Sequence, residues 1–576
     1  MNAPTAAAAH DPSPQAGVAH VTGDKSQELW RRTIPDVFKQ TVAKHGDKEA
    51  AVFTEQSIRW SWSDLDREVD ALAGGLLELG ITRGDRVGIW SPNRYEWLLT
   101  QYATARIGAV LVTINPAYRL TEVEYAVNKV GCKALVTAAH FKGSSYVEMI
   151  QSLAPELEEA SPGALKAAKF PHLEIVIRMG AEKTAGMFNF DDVAERGRDV
   201  PVATLDAATA ALSPDDPINI QFTSGTTGAP KGATLTHVNI LNNGRFVVSG
   251  MNLTEDDRLC IPVPLYHCFG MVMGTLGCVT TGSAMIFPSE AFEPGATLSA
   301  VSEEKCTALY GVPTMFVAQL QHPDLASFDL SNLRTGIMAG SPCPIEVMKS
   351  CVSEMNLSEV TIAYGMTETS PVSFQSAVDD SLDRRVSTVG TIQPHVECKI
   401  IDETGATVDP GVQGEICTRG YSVMKGYWAD DERTNEAIDG DGWMHTGDLG
   451  TIDAQGYCNI TGRVKDMLIR GGENVYPREV EEYLYQHPVT QEVQVFGVPD
   501  SKYGEEICAW IVPKAGETAT EDDIRAFCKG QIAHYKIPRY VRFKDELPMT
   551  VTGKAQKFKM RDAMVEELGL VEDKTA

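Results

Sequence analysis

Short apolar runs alternate with amphipathic stretches along the first 390 residues. Residues 87–90 predict a strand, residues 95–107 a helix that ends at Gly108, and residues 109–114 a second strand. This order predicts two parallel strands joined by a crossover helix. Further apolar runs predict strands at residues 134–137, 173–177, 218–223, 308–310, 336–339 and 360–363. Because ligands of such sheets bind beyond the carboxyl ends of the strands, the residues that follow these strands are the candidates for chemistry.

The pattern changes after about residue 390, where short strands over residues 398–402 and 415–418 lie between Gly- and Pro-rich turns. Past Arg463, residues 477–485 and 521–532 predict helices, and residues 493–498 and 507–513 predict strands. We therefore predict an α/β fold. A large N-terminal body of mixed, mostly parallel sheets flanked by helices spans residues 25–463 and includes a β-rich module over residues 390–463. A small α+β domain spans residues 464–576.

One uncharged stretch is long enough to suggest a membrane span, because residues 261–289 contain no Asp, Glu, Lys or Arg. Four glycines interrupt it, and Thr280-Thr-Gly-Ser283 is typical of a turn. We interpret the stretch as a buried helix followed by a buried strand, and we expect no membrane span.

Composition narrows the classes of function. The chain has 576 residues, of which 43% are hydrophobic. It contains 51 Lys and Arg against 78 Asp and Glu, so its net charge is −27. A chain this acidic repels nucleic acid, which disfavours nucleic acid as a partner. Its 12 cysteines show no CxxC or Cys/His clusters, which predicts free thiols and no zinc site. The first 24 residues contain no Lys or Arg and resemble neither a signal peptide nor a mitochondrial presequence. We expect a disordered tail over residues 1–24 and a cytoplasmic protein.

The strongest chemical signal is Thr223-Ser-Gly-Thr-Thr-Gly-Ala-Pro-Lys-Gly232, which overlaps the end of a predicted strand. Two glycines allow backbone N–H groups to approach an anion, and four hydroxyl groups and a lysine add donors and a positive charge: Gly225, Gly228, Thr223, Ser224, Thr226, Thr227 and Lys231. The segment suits a polyphosphate. It is not a Walker A loop, because Pro230 precedes the lysine and Gly232 follows it.

This segment resembles the phosphate-binding signature of the acyl-adenylate-forming (AMP-binding) superfamily, which includes acyl-CoA synthetases, luciferases and peptide-synthetase adenylation domains. Four further segments resemble that family in its own order. They are Ala363-Tyr-Gly-Met-Thr-Glu368 (adenine and magnesium), Gly442-Trp-Met-His-Thr-Gly-Asp448 (ribose), Gly462-Arg-Val-Lys-Asp466 (hinge) and Pro548-Met-Thr-Val-Thr-Gly-Lys554 (catalytic lysine). Five matches in order, within residues 35–560, are a specific pattern.

The resemblance implies an ATP/AMP site made of Thr223, Ser224, Gly225, Thr226, Thr227, Gly228, Lys231, Gly340, Ser341, Tyr364, Gly365, Met366, Thr367, Asp448, Arg463 and Lys554. In it, Tyr364 would face the adenine, Asp448 would accept hydrogen bonds from the ribose, and Arg463 would hold the ribose or a phosphate. Ser341-Pro-Cys-Pro344 departs from the Gly-Ala-Pro type of sequence common at that place, so its adenine contact stays open.

The catalytic residues that the resemblance implies are Lys554, Glu368, Thr367 and His267. Thr367 would donate to the α-phosphate, and Glu368 would bind Mg²⁺ as a hard oxygen ligand. Lys554 would bridge the substrate carboxylate and the α-phosphate. The resemblance also implies that the domain of residues 464–576 is mobile. Lys465 would lie at its hinge, and Gly471 and Gly472 would border the tunnel for the thiol of coenzyme A.

His267, in Pro264-Leu-Tyr-His-Cys268, matches the family segment at the mouth of the acyl pocket. It implies a gate or wall for the acyl chain and not a proton shuttle. Other implied pocket residues are apolar or small: Met271, Met273, Val312, Gly340 and Met366. No Lys or Arg is placed among them to bind a second carboxylate, which favours a simple aliphatic acid.

Within the family, the sequence most resembles bacterial medium-chain fatty-acyl-CoA synthetases, with 3-methylmercaptopropionate ligases close by. This implies an ATP- and Mg²⁺-dependent ligase that activates a short- to medium-chain aliphatic acid as acyl-AMP and then transfers it to coenzyme A. A homodimer stays open. Alternatives are a carrier-protein-loading adenylating enzyme, an aryl-acid CoA ligase, a luciferase-type oxygenase and a non-catalytic nucleotide-binding module.

Overall fold

A computed structural model of the chain describes residues 11–223, 230–341, 343–463, 466–470, 473–500, 503–550 and 553–570. The first sheet has eight strands in the order Phe188–Asn189, Ile175–Arg178, Ala134–Thr137, Arg86–Trp90, Val110–Ile114, Pro217–Thr223, Lys231–Thr236 and Gly426–Tyr427. The first six of these are parallel, and the last two are antiparallel to their neighbours.

The second sheet has nine strands in the order Thr391–Ile392, Val372–Gln375, Glu359–Gly365, Thr335–Ala339, Ala308–Gly311, Arg258–Cys260, Ala284–Phe287, Glu49–Phe53 and Ile58–Ser61. Its six central strands, from Glu359–Gly365 to Glu49–Phe53, are parallel. The predicted α/β class with mixed, mostly parallel sheets is therefore confirmed.

The β-rich module is a third, antiparallel sheet with strands His20–Thr22, Val396–Ile401, Gly414–Gly420, Met444–Ile452 and Cys458–Arg463. Its edge strand comes from the N-terminal segment, where His20 pairs with Lys399 and Thr22 with Glu397. The prediction of a disordered tail is therefore wrong for this part of residues 1–24. The cause is backbone pairing with a partner almost 380 residues away, which local composition does not reveal. Residues 1–10 lie outside the described chain.

The C-terminal unit is built on a sheet of strands Glu473–Val475, Leu468–Arg470, Gly504–Pro513 and Thr490–Asp500, with Tyr540–Phe543 paired to Gly504–Pro513. Along Gly504–Pro513, Ile507, Ala509 and Ile511 enter one apolar core and Cys508, Trp510 and Val512 enter another. Side chains of a strand alternate between faces, so both faces of this sheet are covered. The exact domain bounds remain predictions.

The helices begin and end as follows: Ile34–His45, Trp62–Glu78, Tyr95–Ile107, Leu120–Val130, Tyr146–Leu153, Phe190–Gly197, Val202–Ala210, His237–Gly250, Gly277–Thr281, Pro294–Glu303, Pro313–Leu320, Ile345–Glu354, Leu382–Ser387, Asp431–Ala437, Pro477–Leu484, Glu521–Cys528 and Lys557–Leu568. Short 3₁₀ turns lie at Gln15–Gly17, Pro155–Glu158, Leu325–Ser327, Thr367–Thr369 and His534–Lys536. A two-stranded ribbon joins His140–Phe141 and Ser144–Ser145.

The uncharged stretch over residues 261–289 is buried, as predicted, and ends in the strand Ala284–Phe287. Its helical part differs from the prediction, because Phe269–Leu276 is a π-helix that continues into Gly277–Thr281. π-helical turns are rare and are frequent at functional sites. Among the described residues, no helix is both long and apolar enough to cross a membrane. The 12 cysteines are free and buried.

Candidate active site

The carboxyl ends of strands from the first two sheets meet at one place. Thr223 ends a strand of the first sheet, and Tyr364 and Gly365 end a strand of the second. The Thr223 hydroxyl donates to Glu368 Oε1 over 3.2 Å, which joins the two sheets. Two of the predicted site segments, each at the end of a parallel strand, are thus joined by a side-chain contact.

Glu368 is buried at this junction, with 5% of its surface exposed. Its Oε1 accepts hydrogen bonds from Thr223 and, over 2.8 Å, from the hydroxyl of Tyr427. Its backbone carbonyl accepts from the N–H of Met424 over 2.8 Å. A carboxylate beside two hydroxyl groups is a set of hard oxygen atoms, so these residues fit Mg²⁺.

Lys231 lies beside the same tyrosine. Its Nζ is 4.3 Å from the centre of the Tyr427 ring, a cation–π distance. Lys231 pairs with Thr223 on adjacent antiparallel strands, so both ends of the predicted phosphate segment lie beside Glu368. The predicted contacts of Ser224, Gly225, Thr226, Thr227 and Gly228 lie outside the described residues.

Asp448 joins the predicted adenine, ribose and hinge segments. The Tyr364 hydroxyl donates to Asp448 Oδ2 over 2.7 Å, and Arg463 Nε donates to Asp448 Oδ1 over 2.8 Å. Burial, together with the Asp448 charge, raises the pKa of Tyr364, so its hydroxyl keeps the proton that it donates. A carboxylate has about four lone-pair sites, so Asp448 retains acceptor capacity for a ligand hydroxyl.

Lys554 faces this cluster from the C-terminal unit. The loop that carries it is closed by two hydrogen bonds, from Thr550 N–H to the Lys554 carbonyl (2.7 Å) and from Lys554 N–H to Thr550 Oγ1 (2.9 Å). Gly553 has a φ of +73°, and a Cβ placed on it would lie 2.8 Å from Cγ2 of Val312. The glycine therefore allows the lysine loop to approach the body closely.

Lys554 is exposed, and its ammonium group lies within electrostatic range of charged side chains of the body. Desolvation lowers the pKa of Lys554, and the Arg463 guanidinium adds to this effect, whereas the carboxylates of Asp448 and Glu368 oppose it. The ammonium group thus shares one electrostatic environment with all three predicted ligand-binding side chains.

His267 lies at the apolar side of the site and is half-buried. Desolvation and the nearby Lys554 charge lower the pKa of His267 to about 3. The N–H of Phe269 donates to His267 Nδ1 over 3.2 Å. A histidine that is neutral at neutral pH suits a wall of the acyl site better than a proton shuttle.

Apolar residues line the side next to His267. Met271 is buried, and its Sδ accepts a hydrogen bond from Gln221 Nε2 over 3.4 Å, while Cys268 Sγ donates to Gln221 Oε1 over 3.0 Å. Val312 lies close to Gly340, which follows the strand Thr335–Ala339. A Cβ placed on Gly340 would lie 3.1 Å from Val312 Cγ1. Both methionines of the π-helix, Met271 and Met273, are buried.

The remaining predicted residues divide into two groups. Thr367 is buried next to Glu368, Met366 and Ser341 are half-buried, and Gly365 is exposed at the strand end. A Cβ on Gly365 would lie 1.8 Å from the Pro371 carbonyl oxygen, so a larger residue does not fit there. Lys465, Gly471 and Gly472 lie outside the described residues, so the predicted hinge and thiol tunnel remain predictions.

Sequence reasoning missed Tyr427 and Gln221. Tyr427 contacts both Glu368 and Lys231, but it lies 59 positions from Glu368 on a two-residue strand. In the sequence, Tyr427 stands in Gly426-Tyr-Trp428, and such a run does not distinguish a site residue from a residue of an ordinary buried strand. Gln221 precedes the phosphate segment inside an otherwise apolar strand, which was the available hint.

Comparisons with known proteins agree with this geometry. The family model described as AMP-binding enzyme matches residues 38–428, and that of the AMP-binding enzyme C-terminal domain matches residues 479–554. The chain is 50% identical over 544 residues to the putative acyl-CoA synthetase YngI of Bacillus subtilis, covering 94% of this chain and 99% of that one. It is 47% identical to the mitochondrial medium-chain acyl-CoA ligase ACSF2 of Danio rerio, covering 97% and 92%.

A solved structure is also similar. The anthranilate CoA ligase AuaEII in complex with anthranoyl-AMP matches with a TM-score of 0.81 and 26% identity, covering 94% of this chain and 99% of that one. Its likeness extends across both the body and the C-terminal unit.

Proposed function

The chain belongs to the AMP-binding enzyme family, and we propose that it is an ATP-dependent acyl-CoA ligase acting on a short- to medium-chain aliphatic carboxylic acid. The observation that carries this proposal is the common environment of Lys554, Glu368, Asp448 and Arg463 beside an apolar wall. Both the anionic nucleotide and an uncharged acyl chain have suitable neighbours there.

In the first step, a carboxylate oxygen of the acid attacks the α-phosphorus of ATP, and the bond to pyrophosphate breaks. Lys554 would hold the carboxylate against the α-phosphate and stabilise the negative charge that develops between them. Asp448 would accept hydrogen bonds from the ribose, Tyr364 would face the adenine, and Thr367 would donate to the α-phosphate. Lys231 and the rest of the phosphate segment, Ser224 to Gly228 included, would bind the β- and γ-phosphates.

Mg²⁺ would be held by Glu368, with the Thr223 hydroxyl beside it, and would supply positive charge against the leaving pyrophosphate. The Tyr427 hydroxyl orients Glu368 Oε1. This proposal rests on the oxygen atoms that converge there.

In the second step, the thiol of coenzyme A loses its proton and attacks the acyl carbon, and AMP leaves. We propose that the C-terminal unit turns about Lys465 between the steps, so that Lys554 departs and Gly471 and Gly472 approach. Support comes from the close approach of Gly553 to Val312, which shows that the lysine loop lies against the body in this arrangement.

The aliphatic acid is proposed from the pocket side of the site. Met271, Val312 and neutral His267 offer apolar surface, and no Lys or Arg is among the proposed pocket residues. ACSF2 is named a medium-chain acyl-CoA ligase, whereas AuaEII is named an anthranilate CoA ligase, so an aryl acid is the alternative to test. A cytoplasmic location and a homodimer remain predictions.

The test is Mg²⁺-dependent pyrophosphate release from ATP with C2 to C16 fatty acids, methylthiopropionate and benzoate, each with and without coenzyme A. We expect turnover that requires both an acid and coenzyme A, with AMP as product, and the highest kcat/KM for a short- to medium-chain acid. Highest kcat/KM for benzoate would favour the aryl alternative. A single burst of pyrophosphate, unaffected by coenzyme A, would favour a carrier-protein-loading enzyme.

Replacing Tyr427 with Phe removes one hydrogen bond to Glu368 and retains the ring next to Lys231. Hydrogen bonds to charged groups contribute about 1.5–3 kcal/mol, so we expect the kcat/KM for ATP in adenylation to fall about 10-fold to 100-fold and the Mg²⁺ requirement to rise. Titrating Mg²⁺ in the pyrophosphate assay measures both effects. Tyr457→Phe is the matched control, because its hydroxyl donates to Asp380 away from the site. Equal Mg²⁺ dependence in both variants would contradict the role of Tyr427.

The lowered pKa of Lys554 predicts a pH effect. Adenylation needs the protonated ammonium, so its rate should fall as the pH rises through this pKa, and the fall should begin at a lower pH than for a solvated lysine. An arginine keeps its charge throughout this range. We therefore expect the alkaline fall to disappear in Lys554→Arg, whatever its absolute rate. The same alkaline midpoint in both proteins, measured as kcat/KM for ATP against pH, would show that another group titrates.

A further inference from the structure

Three potential metal ligands meet in the β-rich module, and Glu368 is not among them. Glu415 and Cys417 lie on the strand Gly414–Gly420, and His445 lies on the neighbouring strand Met444–Ile452. His445 Nδ1 is 3.1 Å from Glu415 Oε2 and 3.6 Å from Cys417 Sγ. The three ligand atoms all lie within 4.8 Å of one another.

The two distances to His445 Nδ1 are close to the edges of a tetrahedral site. Zinc bonds of about 2.0–2.1 Å to nitrogen, about 2.0–2.2 Å to oxygen and about 2.3 Å to sulfur give edges of about 3.4 Å between N and O and about 3.6 Å between N and S. The observed 3.1 Å and 3.6 Å require little movement. Zinc prefers this combination of imidazole, thiolate and carboxylate, whereas Mg²⁺ prefers oxygen alone.

An irregularity in the sheet creates the cluster. Cys417 pairs with His445 while Glu415 pairs with Leu449, so two positions on one strand span four on the other. The extra residues include Gly447, whose φ is +69°. β-bulges of this kind redirect side chains and are frequent beside functional sites.

The groups around the cluster orient two of its members. Gly447 N–H donates to Glu415 Oε1 over 3.1 Å, which leaves Oε2 directed at His445. On the other side of the imidazole, Nε2 is 3.7 Å from Asp439 Oδ2. A carboxylate at the second nitrogen of a metal-bound histidine is the usual supporting arrangement in zinc sites. Ile401 and Trp443 pack around Cys417, while Glu415 and His445 remain partly accessible to a cation from solvent.

Hydrogen bonding alone does not account for both contacts of His445 Nδ1, the one with Glu415 and the one with Cys417. Nδ1 either donates its proton to Glu415 or accepts one from Cys417, and it does not do both in the neutral ring. When Nδ1 donates to Glu415, its contact with Cys417 Sγ is at most a weak hydrogen bond, because sulfur is a weak acceptor. A cation between the three atoms satisfies all of them at once.

We propose that Glu415, Cys417 and His445 form a binding site for a thiophilic divalent cation of the zinc class, with a fourth position open to water. Binding forms one bond to each side chain and releases the Cys417 thiol proton to solvent. The ligands are separated by two and 28 positions along the chain, which is why no metal motif is visible in the sequence.

The first experiment uses the full chain after removal of metals by a chelator, with excess Mg²⁺ present to occupy Glu368. Titration with Zn²⁺ by calorimetry should show one tight site and a rise in melting temperature. Cys417→Ser should weaken this site about 100-fold, and Asp439→Asn about 10-fold. Cys458→Ser, at a buried cysteine on the neighbouring strand, is the matched control and should bind as the unchanged chain does.

A second measurement requires no variant. Cobalt(II) added to the unchanged chain should give the ultraviolet charge-transfer band of a cobalt–thiolate bond, and Zn²⁺ should displace it. Absence of this band, or equal Zn²⁺ affinity in the chain and in Cys417→Ser, would overturn the proposal. The result is independent of the proposed ligase activity, because neither readout uses ATP or an acid.

Discussion

Replacing Lys554 with Ala is expected to remove adenylation while thioester formation from supplied acyl-adenylate continues. The reason is charge. In the first step, two anionic groups must approach each other, and the Lys554 ammonium is the group that the C-terminal unit places beside Asp448 and Glu368. Deleting a preorganised electrostatic contact of this kind costs about 10²–10³-fold in rate. The second step brings the sulfur of coenzyme A to the acyl carbon, with no second phosphate to be approached, and has no need of that contact.

The two half-reactions are measured separately. Pyrophosphate–ATP exchange without coenzyme A reports adenylation, and single-turnover reaction of synthetic acyl-adenylate with coenzyme A reports thioester formation. Lys559→Ala, an exposed lysine on the following helix Lys557–Leu568, is the matched control and should affect neither. Equal loss of both half-reactions in Lys554→Ala would argue against a C-terminal unit that alternates between two positions.

Strand ends are the part of the site that sequence reasoning predicts well. Apolar runs mark the strands ending near Thr223 and Tyr364, and the turn after a parallel strand must lie at the ligand-binding edge of the sheet. The helix predicted over residues 95–107 spans Tyr95–Ile107 because Gly108 takes a left-handed conformation and ends it. Local chemistry decides such features, and local chemistry is visible in a sequence.

Contacts between segments that are distant along the chain cannot be predicted from the sequence pattern. Tyr427 reaches Glu368 across 59 positions, and Glu415 meets His445 only because a bulge changes the strand register. The predicted helix over residues 521–532 differs for a local reason and ends at Cys528. Lys529 is extended and Gly530 has a φ of +75°, and neither was apparent from the apolar spacing.

The uncharged stretch shows a third kind of limit. Its burial is predictable from the lack of charge, but the choice of a π-helix over Phe269–Leu276 is not, because an all-apolar run has no polar face to set the period. Side chains from other parts of the body donate hydrogen bonds to carbonyl groups of this helix. The Tyr310 hydroxyl donates to the Met273 carbonyl over 3.1 Å, and Gln101 Nε2 donates to the Met271 carbonyl over 3.4 Å.

Glu368→Gln is expected to lower the adenylation rate about 10²–10³-fold and to raise the Mg²⁺ concentration needed for half-maximal rate. The substitution is selective, because an amide oxygen can still accept hydrogen bonds from Thr223 and Tyr427, and therefore only the negative charge is lost. The melting temperature should change little. Glu354→Gln, at an exposed carboxylate at the end of the helix Ile345–Glu354, is the matched control.

Calorimetry of ATP binding with and without Mg²⁺ separates two causes of a slower adenylation, loss of the ion and loss of the link between the sheets. A variant that binds ATP as well as the unchanged chain without Mg²⁺, but gains nothing when Mg²⁺ is added, would identify Glu368 as the group that holds the ion. If Mg²⁺ raises the ATP affinity of the variant as much as that of the unchanged chain, the ion is held elsewhere. Glu368 would then be a structural link between the two sheets.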